Sequence, residues 1–152
     1  EGVPIDCVVI QDHDNLTWPT TAQEDAAISA FAQLGVKVAI SELDIDGLPA
    51  ATGQPTAEVS LHIAQNPALN PYVNGLPNSV QQELTKRYAA LFGVFLKHRA
   101  DISRVTFWGV TDADSWKNNW PVKGRMNYPL LFDRDGQPKP AFHAVIREAQ
   151  GN

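Results

Sequence analysis

Three short apolar runs, each followed by an amphipathic segment, most constrain the folds open to this chain. The runs occupy residues 4–10, 37–46 and 102–110, and the segments after them begin at Thr21, Ser79 and Pro140. Parallel neighbouring strands need a crossover connection, usually a helix, so this order predicts an α/β fold with parallel strands. Three strands cannot close a barrel and make a thin sheet alone. We therefore expect part of a larger (β/α) barrel.

The helices and connecting segments carry local signals. Capping boxes at residues 21–24 and 79–82 predict where the first and second helices begin. Gly35 is predicted to end the first helix, and Pro140 to be the first residue of the last helix. A single buried stripe is predicted for the second helix from Leu84, Tyr88, Leu91 and Phe95. His98 is interpreted as a helix-end charge rather than a ligand. Cys7 is interpreted as a small core residue, and residues 57–64 as a short strand or a helical turn.

Polar side chains mark the end of each predicted strand. Gln11 and His13 follow the first, Glu42 and Asp44 end the second, and Trp108 ends the third, with Trp116 shortly after it. Carboxyl ends of parallel strands are where (β/α) barrels carry their chemistry, and alternation along a strand directs Glu42 and Asp44 to one side. Indole rings suit stacking on sugars. The alternatives are a solvated acidic loop, a core histidine, and a Trp108 buried in the barrel under Trp116.

Charge and composition narrow the class of ligand. The formal net charge is −5 and no Lys/Arg cluster occurs, which argues against nucleic acid and anionic membranes as partners. With one cysteine, the sequence holds neither an internal disulfide nor a thiolate zinc site. No apolar run approaches the length of a membrane span, and no signal peptide is visible. A metal site from His13, Glu42 and Asp44 would leave the tryptophans unexplained, so we expect no metal and no cofactor.

Several motifs occur in a fixed order along the chain: Gly-Val-Pro-Ile-Asp at 2–6 leading to Gln-Asp-His at 11–13, Ser-Glu-Leu-Asp at 41–44, Val-Thr-Phe-Trp-Gly-Val-Thr-Asp at 105–112 with Ser-Trp at 115–116, Asn-Asn-Trp-Pro at 118–121, Tyr-Pro-Leu-Leu-Phe-Asp at 128–133, and Gln-Pro-Lys-Pro-Ala at 137–141. Together they resemble glycoside hydrolase family 10, the endo-β-1,4-xylanases with a (β/α)8 barrel. The resemblance covers nearly the whole chain. It implies strands six to eight of the barrel with their helices, as the C-terminal part of one catalytic domain.

The resemblance also implies roles for individual residues. Glu42 matches the nucleophile of a retaining mechanism, which forms a covalent glycosyl-enzyme. His13 matches the histidine that bonds this nucleophile, and Asp44 the carboxylate that holds that histidine. Substrate-binding positions implied in the same way are Gln11, Trp108 and Trp116. The implied substrate is xylan or xylo-oligosaccharide, and the implied location is secreted or periplasmic.

One part of the family's pattern is missing. The family's general acid/base is a glutamate in an Asn-Glu motif after the fourth strand, and that dipeptide does not occur in this sequence. Asp112 and Asp114 are possible substitutes, although we expect them to lie behind the site or at the surface. The N-terminal half of the barrel is therefore expected as a partner, and this chain alone is expected to be inactive. Alternatives are a non-catalytic carbohydrate-binding barrel fragment and a related retaining β-1,4-glucanase.

Overall fold

Three parallel strands lie side by side in the order β1–β2–β3, and a helix follows each of them. The computed structural model describes residues 2–52 and 60–151. The elements are β1 (Cys7–Asn15), α1 (Thr21–Gln33), β2 (Lys37–Asp46), α2 (Asn78–Lys97), β3 (Ile102–Phe107) and α3 (Pro140–Gln150), with short 3₁₀ turns at Pro67–Leu69 and Asp112–Asp114. The sheet is open, and β1 and β3 are its edges among the described residues. The predicted strand–helix order is confirmed.

The core lies between the central strand and helix α2. Val38, Ile40 and Leu43 of β2 are fully buried, as expected for a strand covered on both faces. The predicted stripe of α2 is buried against them: Leu84, Tyr88, Leu91 and Phe95. Tyr88 also donates a 2.6 Å hydrogen bond to the carbonyl oxygen of Pro129. This packing holds the carboxyl end of β2 rigidly in the centre of the structure.

The edge strands differ from their predicted bounds. β1 begins at Cys7 and continues to Asn15, so Gln11 and His13 lie within the strand rather than after it. Cys7 is exposed, and its prediction as a core residue was wrong because β1 has no neighbour on its outer side among the described residues. β3 ends at Phe107, before Gly109 with φ of 138° turns the chain.

Helix boundaries were predicted in part. The capping box of α1 joins Thr20 to Gln23, one residue before the predicted box. The box predicted at residues 79–82 was wrong, because the N-cap of α2 is Pro77 and no side chain caps it. Gly35, with φ of 79°, follows the end of α1, and Pro140 is the first residue of α3, both as predicted.

The connection between β2 and α2 is tied to the loop that follows β3. Of the predicted segment 57–64, residues 57–59 lie outside the described residues, and Ile63 forms a single parallel bridge with Val122. Asn70 donates to the carbonyl oxygen of Gly124 and accepts from the amide of Met126, at 2.9 and 3.0 Å. In the described part of the chain, no helix combines the length and apolar character needed to cross a membrane.

Candidate active site

His13 lies between two carboxylates at the carboxyl ends of β1 and β2. Its Nε2 is 3.0 Å from Oε2 of Glu42, and its Nδ1 is 3.1 Å from Oδ1 of Asp44. The first contact is a hydrogen bond, whereas the second is a close ion contact whose N–H direction is poor for a hydrogen bond. Gln11 donates to Oε1 of Glu42 at 2.7 Å. Both oxygens of Glu42 are therefore held from β1.

A bulge in β2 places Glu42. The pairing of β1 with β2 shifts between Gln11 and His13, so Ser41 pairs with Gln11 while Asp44, not Leu43, pairs with His13. Glu42 itself has φ of 58°, a left-handed conformation that costs energy for a residue with a side chain. Regular alternation, which the sequence analysis assumed for Glu42 and Asp44, is broken here. The two carboxylates nevertheless meet at the same histidine.

Asp44 is the buried centre of the group. Its side chain is fully buried, and Oδ2 accepts a 2.7 Å hydrogen bond from Nε1 of Trp116. Its other oxygen, Oδ1, faces both His13 and the ammonium group of Lys117, which is 3.5 Å away. This carboxylate thus joins β2, the edge strand β1 and the loop after β3.

The surroundings of His13 favour its protonated form. Burial, the largest influence, lowers the pKa of His13, and the positive charge of Lys117 acts in the same direction. Contacts with Asp44 and Glu42 outweigh these effects, so the pKa lies above its ordinary value of 6.5. The two ring nitrogens face the carboxylates in different directions, so His13, Glu42 and Asp44 do not converge on one central point as metal ligands would.

Indole rings surround the histidine. The ring of Trp116 is 4.9 Å from that of His13, and Trp108 is 6.5 Å away, edge-on. Trp120 stacks on Trp116 with ring centroids 4.5 Å apart. Trp108 is 46% exposed in this chain, where three strands of the barrel are present. Trp116 is partly buried and lies closer to Asp44 than the sequence alone could indicate.

A cleft of about 690 Å³ runs beside this group. Its wall includes His13 and Trp116, and also Lys117, Trp120 and Trp18, but Glu42 lies next to the cleft rather than in its wall. The sequence analysis did not consider Lys117. The position of Lys117 directly after Trp116 was the only signal that could have drawn attention to it.

The opposite face of β1 carries a second charged cluster, beneath the site. Asp12, Asp14 and Glu24 are buried together with Arg87, which donates a 2.6 Å hydrogen bond to Asp14. Burial is the largest cause that raises the pKa of Asp12 to about 8 and those of Asp14 and Glu24 to about 7. The cluster joins β1 to α1 and α2, and it supports the strand that carries His13.

The two aspartates considered as substitutes for a second catalytic carboxyl lie elsewhere. Asp112 is buried, where it accepts from Nζ of Lys139 and from the amide of Leu130, both at 2.8 Å. Asp114 is exposed and accepts from the hydroxyl group of Thr111. Their placement agrees with the expectation that they lie behind the site or at the surface.

The sequence profile of Glycosyl hydrolase family 10 matches residues 1–148. The chain belongs to this family. Among family 10 relatives, the endo-1,4-beta-xylanase A of Xylanibacter ruminicola is 40% identical over 96% of the chain and 40% of its own length. An endo-1,4-beta-xylanase of Geobacillus stearothermophilus is 36% identical over 96% of the chain and 39% of its own length.

Solved structures agree with the family assignment. A family 10 endoxylanase retrieved from a sugarcane soil metagenome superposes with a TM-score of 0.91 and 46% identity, over 95% of this chain and 42% of that one. Xylanase B from Clostridium stercorarium F9 gives a TM-score of 0.79 and 34% identity, over 95% of this chain and 38% of that one. The three strands and their helices are thus part of a (β/α)8 barrel, as predicted. The chain spans about two fifths of the length of these relatives.

Proposed function

We propose that the protein formed by this family 10 chain is a retaining endo-β-1,4-xylanase in which Glu42 is the nucleophile. The observation that carries the proposal is the position of His13, which contacts Glu42 and Asp44 through its two ring nitrogens at 3.0 and 3.1 Å. Side chains that bind the nucleophile through separate donors fix its direction, and alignment of the reacting atoms is a large part of catalysis. The xylanase names of the relatives support xylan as the substrate.

The proposed first step uses this geometry. An oxygen of Glu42 attacks the anomeric carbon of the sugar, and the glycosidic carbon–oxygen bond breaks as the ester bond forms. The leaving oxygen takes a proton from an acid on the opposite side, and water later cleaves the ester. Gln11 and His13 hold the two carboxylate oxygens, so the attacking group reaches the sugar in a fixed orientation.

The tryptophans suit the sugar that would lie against Glu42. Trp108 exposes nearly half of its surface beside His13, and Trp116 is held by its hydrogen bond to Asp44. Flat apolar faces stack on the carbon–hydrogen faces of pyranose rings, and an indole N–H group that has no partner in the protein can also donate a hydrogen bond. Trp116 uses its N–H internally, so its contribution to the sugar would be stacking alone.

The acid that completes the reaction would come from the remaining strands of the barrel. Retaining hydrolysis needs two carboxyl groups about 5–5.5 Å apart. Neither Asp112 nor Asp114 reaches toward Glu42, because their oxygens are bound to Lys139, Leu130 and Thr111. We therefore assign the second carboxyl to the N-terminal strands, and expect hydrolysis only when those strands are present. Secretion or export to the periplasm is proposed on the family resemblance.

A barrel chimera tests the nucleophile directly. In it, this chain replaces the matching segment of the Xylanibacter ruminicola enzyme, so that the relative supplies the other strands. The chimera should release reducing sugar from xylan, Glu42→Gln should abolish the release, and Asp114→Asn, an exposed control, should not. A fluorinated xylobioside that traps glycosyl-enzymes should label the peptide that contains Glu42.

Other outcomes separate the alternatives. Binding of xylo-oligosaccharide without hydrolysis or labelling would favour a carbohydrate-binding barrel. Faster hydrolysis of cello-oligosaccharides than of xylo-oligosaccharides would favour a glucanase. Full activity of the Glu42→Gln chimera, or label on another residue, would show that the nucleophile assignment is wrong.

A further inference from the structure

We propose that Lys117 is a positioning residue: its ammonium group is the permanent counter-charge of Asp44, and it thereby controls when His13 carries a proton. This inference deepens the proposed function and rests on it only for its catalytic consequence. Lys117 was not among the candidate residues of the sequence analysis. It lies in the loop after β3, directly after Trp116, and its side chain is 8% exposed.

The surroundings of Asp44 explain why a second cation is needed. Asp44 is fully buried, and its Oδ2 accepts a well-directed hydrogen bond from Trp116. No donor within residues 2–52 and 60–151 is well directed toward Oδ1, although His13 is 3.1 Å and Lys117 is 3.5 Å away. A buried carboxylate is unfavourable unless an opposite charge balances it. His13 can supply that charge only while it is protonated, whereas Lys117 brings a second ammonium group within 3.5 Å of Oδ1.

The position of Lys117 is fixed by the same aromatic group. Its Nζ lies 5.0 Å from the centroid of the Trp116 ring, within the range of a cation–π interaction. Trp116 is in turn stacked on Trp120 and hydrogen-bonded to Asp44. A lysine side chain is flexible in water, but here the indole ring and the carboxylate both hold its end. The ammonium group therefore stays beside Asp44.

The charges that face His13 can be assigned completely for the described residues that contact it. Strand β2 supplies Glu42 and Asp44, the loop after β3 supplies Lys117, and β1 itself supplies Asp12 on its other face. The carboxylates favour the imidazolium form, and Lys117 disfavours it. Lys117 is thus the one positive group that opposes protonation of His13 in this set.

The consequence for the reaction concerns the covalent intermediate. When Glu42 forms an ester with the sugar, it loses its negative charge. With Lys117 present, Asp44 is still balanced, so His13, which lies in the wall of the cleft, can release its proton to solvent without leaving a buried charge uncompensated. Without Lys117, Asp44 would retain the proton on His13 in both states. Lys117 therefore lets the ionisation of His13 follow the charge of Glu42.

Titration of His13 tests this inference without a need for activity. The imidazole nitrogens of His13 are followed by NMR in this chain and in the barrel chimera, and His13→Gln identifies the signal. In Lys117→Met and Lys117→Gln the pKa of His13 should rise by about one unit, because the opposing charge is gone. Lys117→Arg keeps the positive charge and should leave the pKa of His13 unchanged. Lys123→Met, which removes an exposed lysine of the same loop, should also leave this pKa unchanged.

The result that would overturn the inference is equally clear. If the pKa of His13 stays the same or falls in Lys117→Gln, Lys117 is only a packing residue. The same conclusion holds if the pKa rises as much in Lys117→Arg as in Lys117→Gln. Comparison of the Arg and Gln variants decides the question even if Lys117→Met does not fold. In an active chimera, the pH dependence of kcat/KM should move in the direction of the His13 pKa. A moved titration in an inactive chimera would support the role of Lys117 while contradicting the proposed function.

Discussion

Arg87 of α2 donates a 2.6 Å hydrogen bond to Oδ2 of Asp14 in β1, and both side chains are buried. The same Nη2 atom donates to the carbonyl oxygen of Pro19 at 2.6 Å. One guanidinium group therefore ties the helix to the end of the strand and to the loop after it. His13 lies on the other face of that strand, so the pair supports the proposed active site from beneath.

Replacement of Arg87 should destabilise the protein strongly. In Arg87→Met, Asp14 loses its buried partner, and breaking such a pair costs about 3 kcal/mol or more. The loss should be greater at pH 8 than at pH 5, because the pKa of Asp14 is about 7 and its carboxyl carries the charge that needs Arg87 only above that pH. Urea unfolding of the barrel chimera at pH 5 and at pH 8 measures the free energy of unfolding. Arg99→Met, at an exposed arginine, is the control. Asp14→Asn should restore part of the lost stability, and equal effects of Arg87→Met and Arg99→Met would contradict the assignment.

Stability should decrease as the pH rises from about 4 to about 8. The pKa of Asp12 is raised from 3.8 to about 8, mainly by burial, so the folded state holds a proton that the unfolded state has released in this range. The stabilisation is complete below pH 4 and is lost as the pH approaches 8, by about 1.4 kcal/mol per pH unit for each such group. Asp12→Asn should therefore flatten the dependence, whereas Asp135→Asn in an exposed turn should not. Unfolding midpoints at several pH values provide the measurement.

Because His13 contacts both carboxylates, its replacement should reduce the rate of the proposed reaction. His13→Gln removes the contact between the imidazole and Asp44 and leaves Glu42 with a less fixed partner. A poorly aligned nucleophile reduces kcat on the order of 10²-fold, with a smaller effect on KM. Initial rates of the barrel chimera on xylo-oligosaccharides give both constants. His143→Gln, at an exposed histidine of α3, serves as the matched control, and a similar loss there would remove the reason to single out His13.

The exposed side of β1 should be covered in the whole barrel. Val9 is 53% exposed here and lies on the edge strand. Val9→Glu should lower the melting temperature of the barrel chimera, because the carboxylate would be buried against the neighbouring strand or helices. In this chain alone the same change should shift the free energy of unfolding by no more than about 0.5 kcal/mol. Val73→Glu, at a loop valine 48% exposed, is the control, and equal shifts at both positions would refute the proposed contact.

The strand–helix order and the buried stripe of α2 could be predicted because both are periodic patterns. Leu84, Tyr88, Leu91 and Phe95 repeat with the period of a helix, and that repeat survives in the structure. Strand ends are less regular. β1 was predicted to stop before Gln11, because polar residues usually follow a strand, but Asp12 and Asp14 are buried beneath the helices and extend it.

The details of the site depend on contacts between distant residues, and these leave little trace in the sequence. Nothing around Glu42 indicates the bulge, which arises from the pairing of β2 with both neighbours. Cys7 looks apolar and strand-like, but its burial depends on what lies beyond the edge of β1. Lys117 and Asp44 are far apart in the sequence and come close together only in the folded chain.

The left-handed backbone conformation of Glu42 is unfavourable for folding, whereas the proposed reaction needs a carboxylate at this position. Glycine or asparagine fits φ of 58° with less strain than glutamate does. A chain with glycine at position 42 should therefore survive heating better than the natural one while losing the proposed nucleophile. Selection for heat resistance alone would drive this position away from glutamate, so a glutamate here fits the proposed chemical role better than a role in folding.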